Sequence, residues 1–184
     1  MGITNKVFIG IDPGVNGGIA ILSPSGSDWE VSTGKMSEDA HELWDEIKSI
    51  KDRCVEYGME PRAIIEQQNA RPTSIMDRET KRWRQTVLAS TVTLCGQYKL
   101  VTGMLVAAGI PTDHVIPKTW QSLFGLYKEK GEDSTKWKNR LKSLAQELYG
   151  TKTKVTLATA DALLLATYGK QMCVSEDGEI ELFR

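Results

Sequence analysis

The order of periodic segments predicts an α/β fold on a mixed five-stranded sheet, three antiparallel strands then two parallel ones, flanked by helices. Three observations predict it. Residues 7–23 (VFIGIDPGVNGGIAILS) read as two apolar strands joined by a turn rich in Gly and Asn. A third, alternating run follows closely and makes an antiparallel meander. Beyond it, helical and strand patterns alternate, and a helix feeding a strand beside the first is a parallel crossover.

In the first strand, Val7, Phe8, Ile9 and Ile11 form a short apolar run, as expected of a central strand buried on both faces. It ends in Asp12, Pro13 and Gly14, and Ile19, Ala20, Ile21 and Leu22 begin the second strand. A carboxylate at the tip of a buried strand is costly unless paired. A cation would pair with Asp12, and so would N–H groups of the glycine turn; a plain turn cap is the simpler reading. Trp29, Val31 and Thr33 alternate with Glu30, Ser32 and Gly34 as the third strand. Ser37 reads as a helix N-cap. Leu43, Trp44, Ile47, Ile50, Cys54 and Tyr57 then recur at helical spacing, and Gly58 closes the helix. Ala63, Ile64 and Ile65 make a buried fourth strand that ends in Glu66.

Residues 67–86 break the pattern. Arg71, Arg78, Lys81, Arg82 and Arg84 against Asp77 and Glu79 leave a local charge of +3, with Trp83 among them. A long polar stretch inside a compact domain is functional or mobile. Residues 87–108 are helical, and their apolar positions wrap around the helix more than one buried face requires. That fits a contact between two copies or a central core helix. His114, Val115 and Ile116 form the fifth strand, followed by Pro117 and Lys118 and a short helical piece over 119–126. A charged loop over 127–135 leads to a helix over 136–149. Residues 128–142 carry six basic and three acidic residues, again +3. Residues 159–168 (TADALLLATY) form a strongly apolar last helix, and the acidic stretch 174–184 reads as a flexible tail.

Composition bounds the classes. A length of 184 residues, 40% hydrophobic and 26% charged, fits one soluble domain spanning 1–184. A net charge of −1 gives no global attraction to nucleic acid, so any must be local. Cys54, Cys95 and Cys173 form no C-x-x-C pair, which argues against a zinc site or a disulfide framework and for a reducing, cytoplasmic compartment. The start, MGITNK, is not a signal peptide, and no apolar run is long enough to span a membrane.

Three acids stand out. Asp12 ends the first strand, Glu66 ends the fourth, and Asp161 interrupts an apolar helix. Parallel neighbouring strands bring Asp12 and Glu66 to one sheet edge, where ligands of such sheets bind. A last helix packed over that edge adds Asp161. Three clustered carboxylates do not all stay ionised without cations, and oxygen-only ligands suit Mg²⁺ or Mn²⁺. Two such ions activate water and stabilise the leaving oxygen in phosphodiester hydrolysis. Taken singly, Glu66 reads as a surface residue and Asp161 as a core cap.

At FIGIDPGVNGGIAIL, AIIEQ, VIPKTWQ and TADALLLATYG the chain resembles the RuvC family of Holliday-junction resolvases, within the ribonuclease-H-like superfamily. These pieces stand in the family's order over nearly the whole chain, and the short VIPKTW segment resembles the phage-type members. The resemblance implies a homodimer that binds four-way DNA junctions and nicks two strands of like polarity, in the host cytoplasm if phage-encoded. By motif match it implies Asp12, Glu66 and Asp161 as ligands of Mg²⁺, with Mn²⁺ substituting. It implies Lys118, and with it Lys136, beside the scissile phosphate; a solvated surface lysine is the alternative for each. Arg71, Arg78, Lys81, Arg82 and Arg84 would contact phosphates and Trp83 would stack on an unpaired base. The plain reading is a solvated loop with Trp83 packed on the domain.

One departure matters. The family usually carries an Asp or His one helical turn before the last Asp, and here that position is Ala158. Three readings stay open: three acids and water suffice, Asp133 substitutes, or Ala158 is an engineered change. A weakened site leaves a junction-binding protein that no longer cuts as a second hypothesis. An actin-like ATPase or sugar kinase is a third, since its phosphate loop also opens with strand, Asp and Gly; 184 residues leave little room for its second lobe.

Overall fold

The computed structural model describes residues 5–69, 73–77, 79–86 and 88–176. In chain order the elements are β1 (Lys6–Ile11), β2 (Gly18–Ser25), β3 (Asp28–Lys35), α1 (Ala40–Glu56), β4 (Glu60–Glu66), β5 (Thr73–Met76), β6 (Trp83–Thr86), α2 (Ala89–Ala107), β7 (Thr112–Val115), α3 (Pro117–Leu123), α4 (Ser134–Tyr149) and α5 (Ala160–Glu176). The five-stranded sheet has the order β3-β2-β1-β4-β7. β1–β2 and β2–β3 are antiparallel, while β1–β4 and β4–β7 are parallel. The expected α/β mixed sheet, three antiparallel strands then two parallel, is the observed one.

Strand alternation sorts the core into two layers. Val7, Ile9, Ile11, Ala63 and Ile65 face α1 and α2 and meet Leu43, Ile47, Ile50, Val101 and Leu105. Phe8, Ala20, Leu22 and Ile64 face the other way, against Trp120, Leu141, Ala145 and the run 162–166 of α5. Over residues 162–166 α5 is apolar all round and every residue is buried. A side chain the size of Leu163 or Leu164 contributes about 1.5–3 kcal/mol when fully buried.

Three local expectations change. Asp39, not Ser37, is the N-cap of α1, accepting the N–H groups of His41 and Glu42 at 2.8 and 3.0 Å. Ser37 instead accepts the N–H of Asp39 and donates to Glu42. The polar stretch after Glu66 contains a hairpin, β5 paired antiparallel to β6, that forms a sheet of its own. Asp77 organises its turn, accepting N–H groups of Glu79 and Thr80 at 3.0 and 2.9 Å. α5 carries on to Glu176, so residues 174–176, expected in the tail, are helical. No helix of the described residues is long and apolar enough to cross a membrane.

Candidate active site

Register delivers the first two acids. Ile11 lies opposite Ile65 in the parallel β1–β4 pair, so the next residues out, Asp12 and Glu66, leave the sheet side by side. Both continue the face of Phe8 and Ile64, the face covered by α5. Asp161 stands in the first turn of α5. Its height over β1 is set by Gly10, where a Cβ would run into the carbonyl O of Ala162 and the N of Ala166. The bare glycine lets helix and strand backbones touch, one residue from Asp161. α5 is started by a reciprocal pair. The N–H of Thr156 donates to Thr159 Oγ1 at 3.0 Å, and that of Thr159 to Thr156 Oγ1 at 3.2 Å, in the manner of a capping box. Ala158 lies in this turn, partly buried, with its carbonyl against Gly18.

The three carboxylates are electrostatically coupled. Burial pushes Glu66 up to about 7, and the charges of Asp12 and Asp161 push the same way. Burial likewise raises Asp161 to about 7, with Asp12 adding to it and Lys138 opposing. Asp12 is raised by burial, against a hydrogen bond from Gly14 N–H at 3.0 Å and the charge of Lys138. Glu66 is held from two sides. Trp120 Nε1–H donates to Oε2 at 3.1 Å, and Gln68 Nε2–H donates to Oε1 at 2.9 Å. An oxygen-only donor set with this much mutual repulsion fits a hard divalent cation in chemistry. Among the described residues no three His, Cys, Asp or Glu side chains are gathered tightly enough to form a ready ligand cluster.

Lys118 is exposed in α3, which leaves the sheet just beyond Val115, the partner of Glu66. Lys136 is exposed in the first turn of α4. Asp133 caps that helix, its Oδ1 accepting N–H groups of Thr135 and Lys136 at 2.8 and 3.2 Å. Its Oδ1 thus serves as the cap of α4. Lys81, Arg82 and Trp83 are exposed on the hairpin, Trp83 to 68%, so its ring does not pack into the body. Arg71 and Arg78 lie outside the described residues, and of Arg84 only the backbone, in β6, is described.

Three residues the sequence reading did not single out join the site: Trp120, Gln68 and Lys138. The pattern Trp137, Leu141, Ala145 and Tyr149 marks the buried stripe of α4 and puts Lys138 on its flank. Which flank faces the acids depends on packing against α5.

No protein-family model matches the sequence, and neither does any curated protein. Among solved structures, Thermus thermophilus RuvC in complex with a Holliday junction substrate matches with a TM-score of 0.51 and 17% identity, covering 94% of this chain and 96% of that one. A second structure of Thermus thermophilus RuvC matches with a TM-score of 0.50 and 21% identity over the same shares. The chain has the RuvC fold. In this fold Asp12 and Glu66 stand at the carboxyl ends of β1 and β4, where open α/β sheets bind their ligands, and Asp161 stands in the first turn of α5.

Proposed function

We propose that this chain is a Mg²⁺-dependent, structure-selective endonuclease that resolves four-way DNA junctions by paired symmetric nicks. It acts as a homodimer of the phage type, in the cytoplasm. One observation carries the reading: three carboxylates from β1, β4 and α5 converge on one sheet edge, and two of them are pushed to about 7 there. The similarity to RuvC structures supports it.

Asp12, Glu66 and Asp161 would hold Mg²⁺, or Mn²⁺ in its place. The bound cations supply activation of the attacking water and stabilisation of the leaving oxygen. The chain's own groups do the rest. The Trp120 and Gln68 N–H donors hold the Glu66 carboxylate in one rotamer. The Gly14 N–H fixes Oδ1 of Asp12. Lys138 supplies positive charge toward Asp12 and Asp161. Lys118, and with it Lys136, both exposed, would stand near the scissile phosphate. Arg71, Arg78, Lys81, Arg82 and Arg84 engage backbone phosphates, and the exposed Trp83 stacks on a base unpaired at the branch point. The dimer forms through α2. Tyr98, Val101 and Leu105 of that helix are buried, whereas Val92 and Val106 are 60% and 71% exposed.

A synthetic four-way junction incubated with Mg²⁺ or Mn²⁺ tests this. Symmetric nicks lost in Asp12→Asn are expected. Binding without nicks under either metal favours the second reading, a junction binder that does not cut, which alanine at 158 supports. No junction-selective binding at all sinks both.

A further inference from the structure

We propose that the groove between the C-terminal half of α4 and the loop over 150–155 is a backbone channel that carries a DNA strand away from the carboxylate cluster. The proposal rests on the nuclease reading and names where the strand beside the scissile phosphate runs. One position along from the buried stripe of α4, Lys138, Lys142 and Gln146 follow one another at single-turn spacing. The row begins within electrostatic reach of Asp12 and Asp161, through Lys138. It ends in a groove of about 570 Å³ lined by Lys142, Gln146, Lys152, Lys154 and small polar residues. At 1.5 Å per residue, positions 138 to 146 span about 12 Å, the axial length of roughly three to four phosphates on one strand.

The groove's chemistry selects its occupant. No carboxylate lines it. The nearby Asp28 is taken by Lys152, whose Nζ lies 2.5 Å from Oδ1. Among the described residues Lys142 and Lys154 have no ion pair or side-chain hydrogen bond. Two uncompensated ammonium groups converging on one concavity repel each other until a polyanion arrives. No aromatic side chain lines the groove, so it has no platform for stacking bases and reads phosphates alone. Its wall is set in advance. Val155 is buried, and Thr153 Oγ1 bonds Thr33 Oγ1 on β3 at 3.1 Å.

The test is the salt dependence of binding to a four-way junction and to a linear duplex, without divalent cations so that nothing is cut. The double variant Lys142→Gln/Lys154→Gln is expected to flatten the slope of log affinity against log salt by about 1 for each lysine. Lys142→Arg/Lys154→Arg is expected to keep it. Lys48→Gln/Lys51→Gln, on α1 across the sheet, removes the same charge and is expected to leave the slope unchanged. An unchanged slope in the first variant, or an equal fall in the α1 control, overturns the channel. Equal wild-type affinity for junction and duplex overturns junction selectivity instead, and the slope difference on the duplex then still decides for or against the channel.

Discussion

Trp120 donates its indole N–H to Oε2 of Glu66 across 3.1 Å, from a side chain that is 0% exposed. A wholly buried indole must place its one donor, and here the acceptor is a carboxylate at the mouth of the site. Core packing and site geometry thus share a residue. Trp120→Phe keeps a ring in the core and removes the donor. The Mg²⁺ concentration needed for half-maximal nicking is expected to rise about 10- to 100-fold, with activity recovering at high Mg²⁺. A variant that loses only thermal stability, with its Mg²⁺ titration unmoved, makes Trp120 a core residue and nothing more.

Metal-free stability is expected to fall as pH rises. Glu66 goes from 4.5 unfolded to about 7 folded, and Asp161 from 3.8 to about 7. The folded protein therefore holds these protons more tightly than the unfolded chain. The stabilisation is complete below about pH 4 and is lost as pH climbs to about 7, at up to about 1.4 kcal/mol per pH unit for each group. Asp28, Asp39, Asp77 and Asp133 are shifted the other way and oppose it only in acid, below 3.8. Melting curves in EDTA between pH 4.5 and 8 check the slope. Glu66→Gln is expected to flatten it, and Mg²⁺ to restore stability at pH 7.5. A flat profile in the wild type contradicts the coupling.

Ala158→Asp adds a carboxylate one turn before Asp161. Nicking in Mg²⁺ is expected to rise. Melting in EDTA at pH 7.5 is expected at a lower temperature, because a fourth like charge joins an already strained set. Unchanged rates in Mg²⁺ mean that three acids suffice.

Gly10→Ala puts a methyl group against the backbone of Ala162 and Ala166. The collision is with backbone rather than a movable side-chain end, so α5 must lift from β1. A loss of about 3 kcal/mol in denaturant unfolding is expected, the upper range for overpacking, together with nicking, because Asp161 moves with the helix. Stability within about 0.5 kcal/mol of the wild type contradicts the close approach.

Val92→Asp with Val106→Asp charges the exposed stripe of α2, where Gly96 and Gly103 leave open space above the helix. Sedimentation is expected to show a monomer, with folding kept and paired nicks replaced by single ones. A variant that remains dimeric moves the interface off α2.

The sequence by itself determined the sheet and its order of antiparallel then parallel strands, and it marked Asp12, Glu66 and Asp161 as acids out of keeping with their neighbours. Apolar runs of period 2 and 3.6 are local signals, and an acid at a strand tip or in an apolar helix stands out against its neighbours. The β5–β6 hairpin was not legible. Its strands are four residues each and mostly polar, so the ladder and the Asp77 turn hold it, not an apolar face. Ser37 and Asp39 are both cap-type residues two positions apart, and sequence alone does not rank them; Asp39 caps α1. Trp120, Lys138 and the α4 groove were decided only by tertiary structure. Each depends on the rotation of a helix about its own axis, which is settled where backbones touch, as Gly10 meets Ala162. A helical pattern says which side is buried, but only packing says what the neighbouring flank looks out upon.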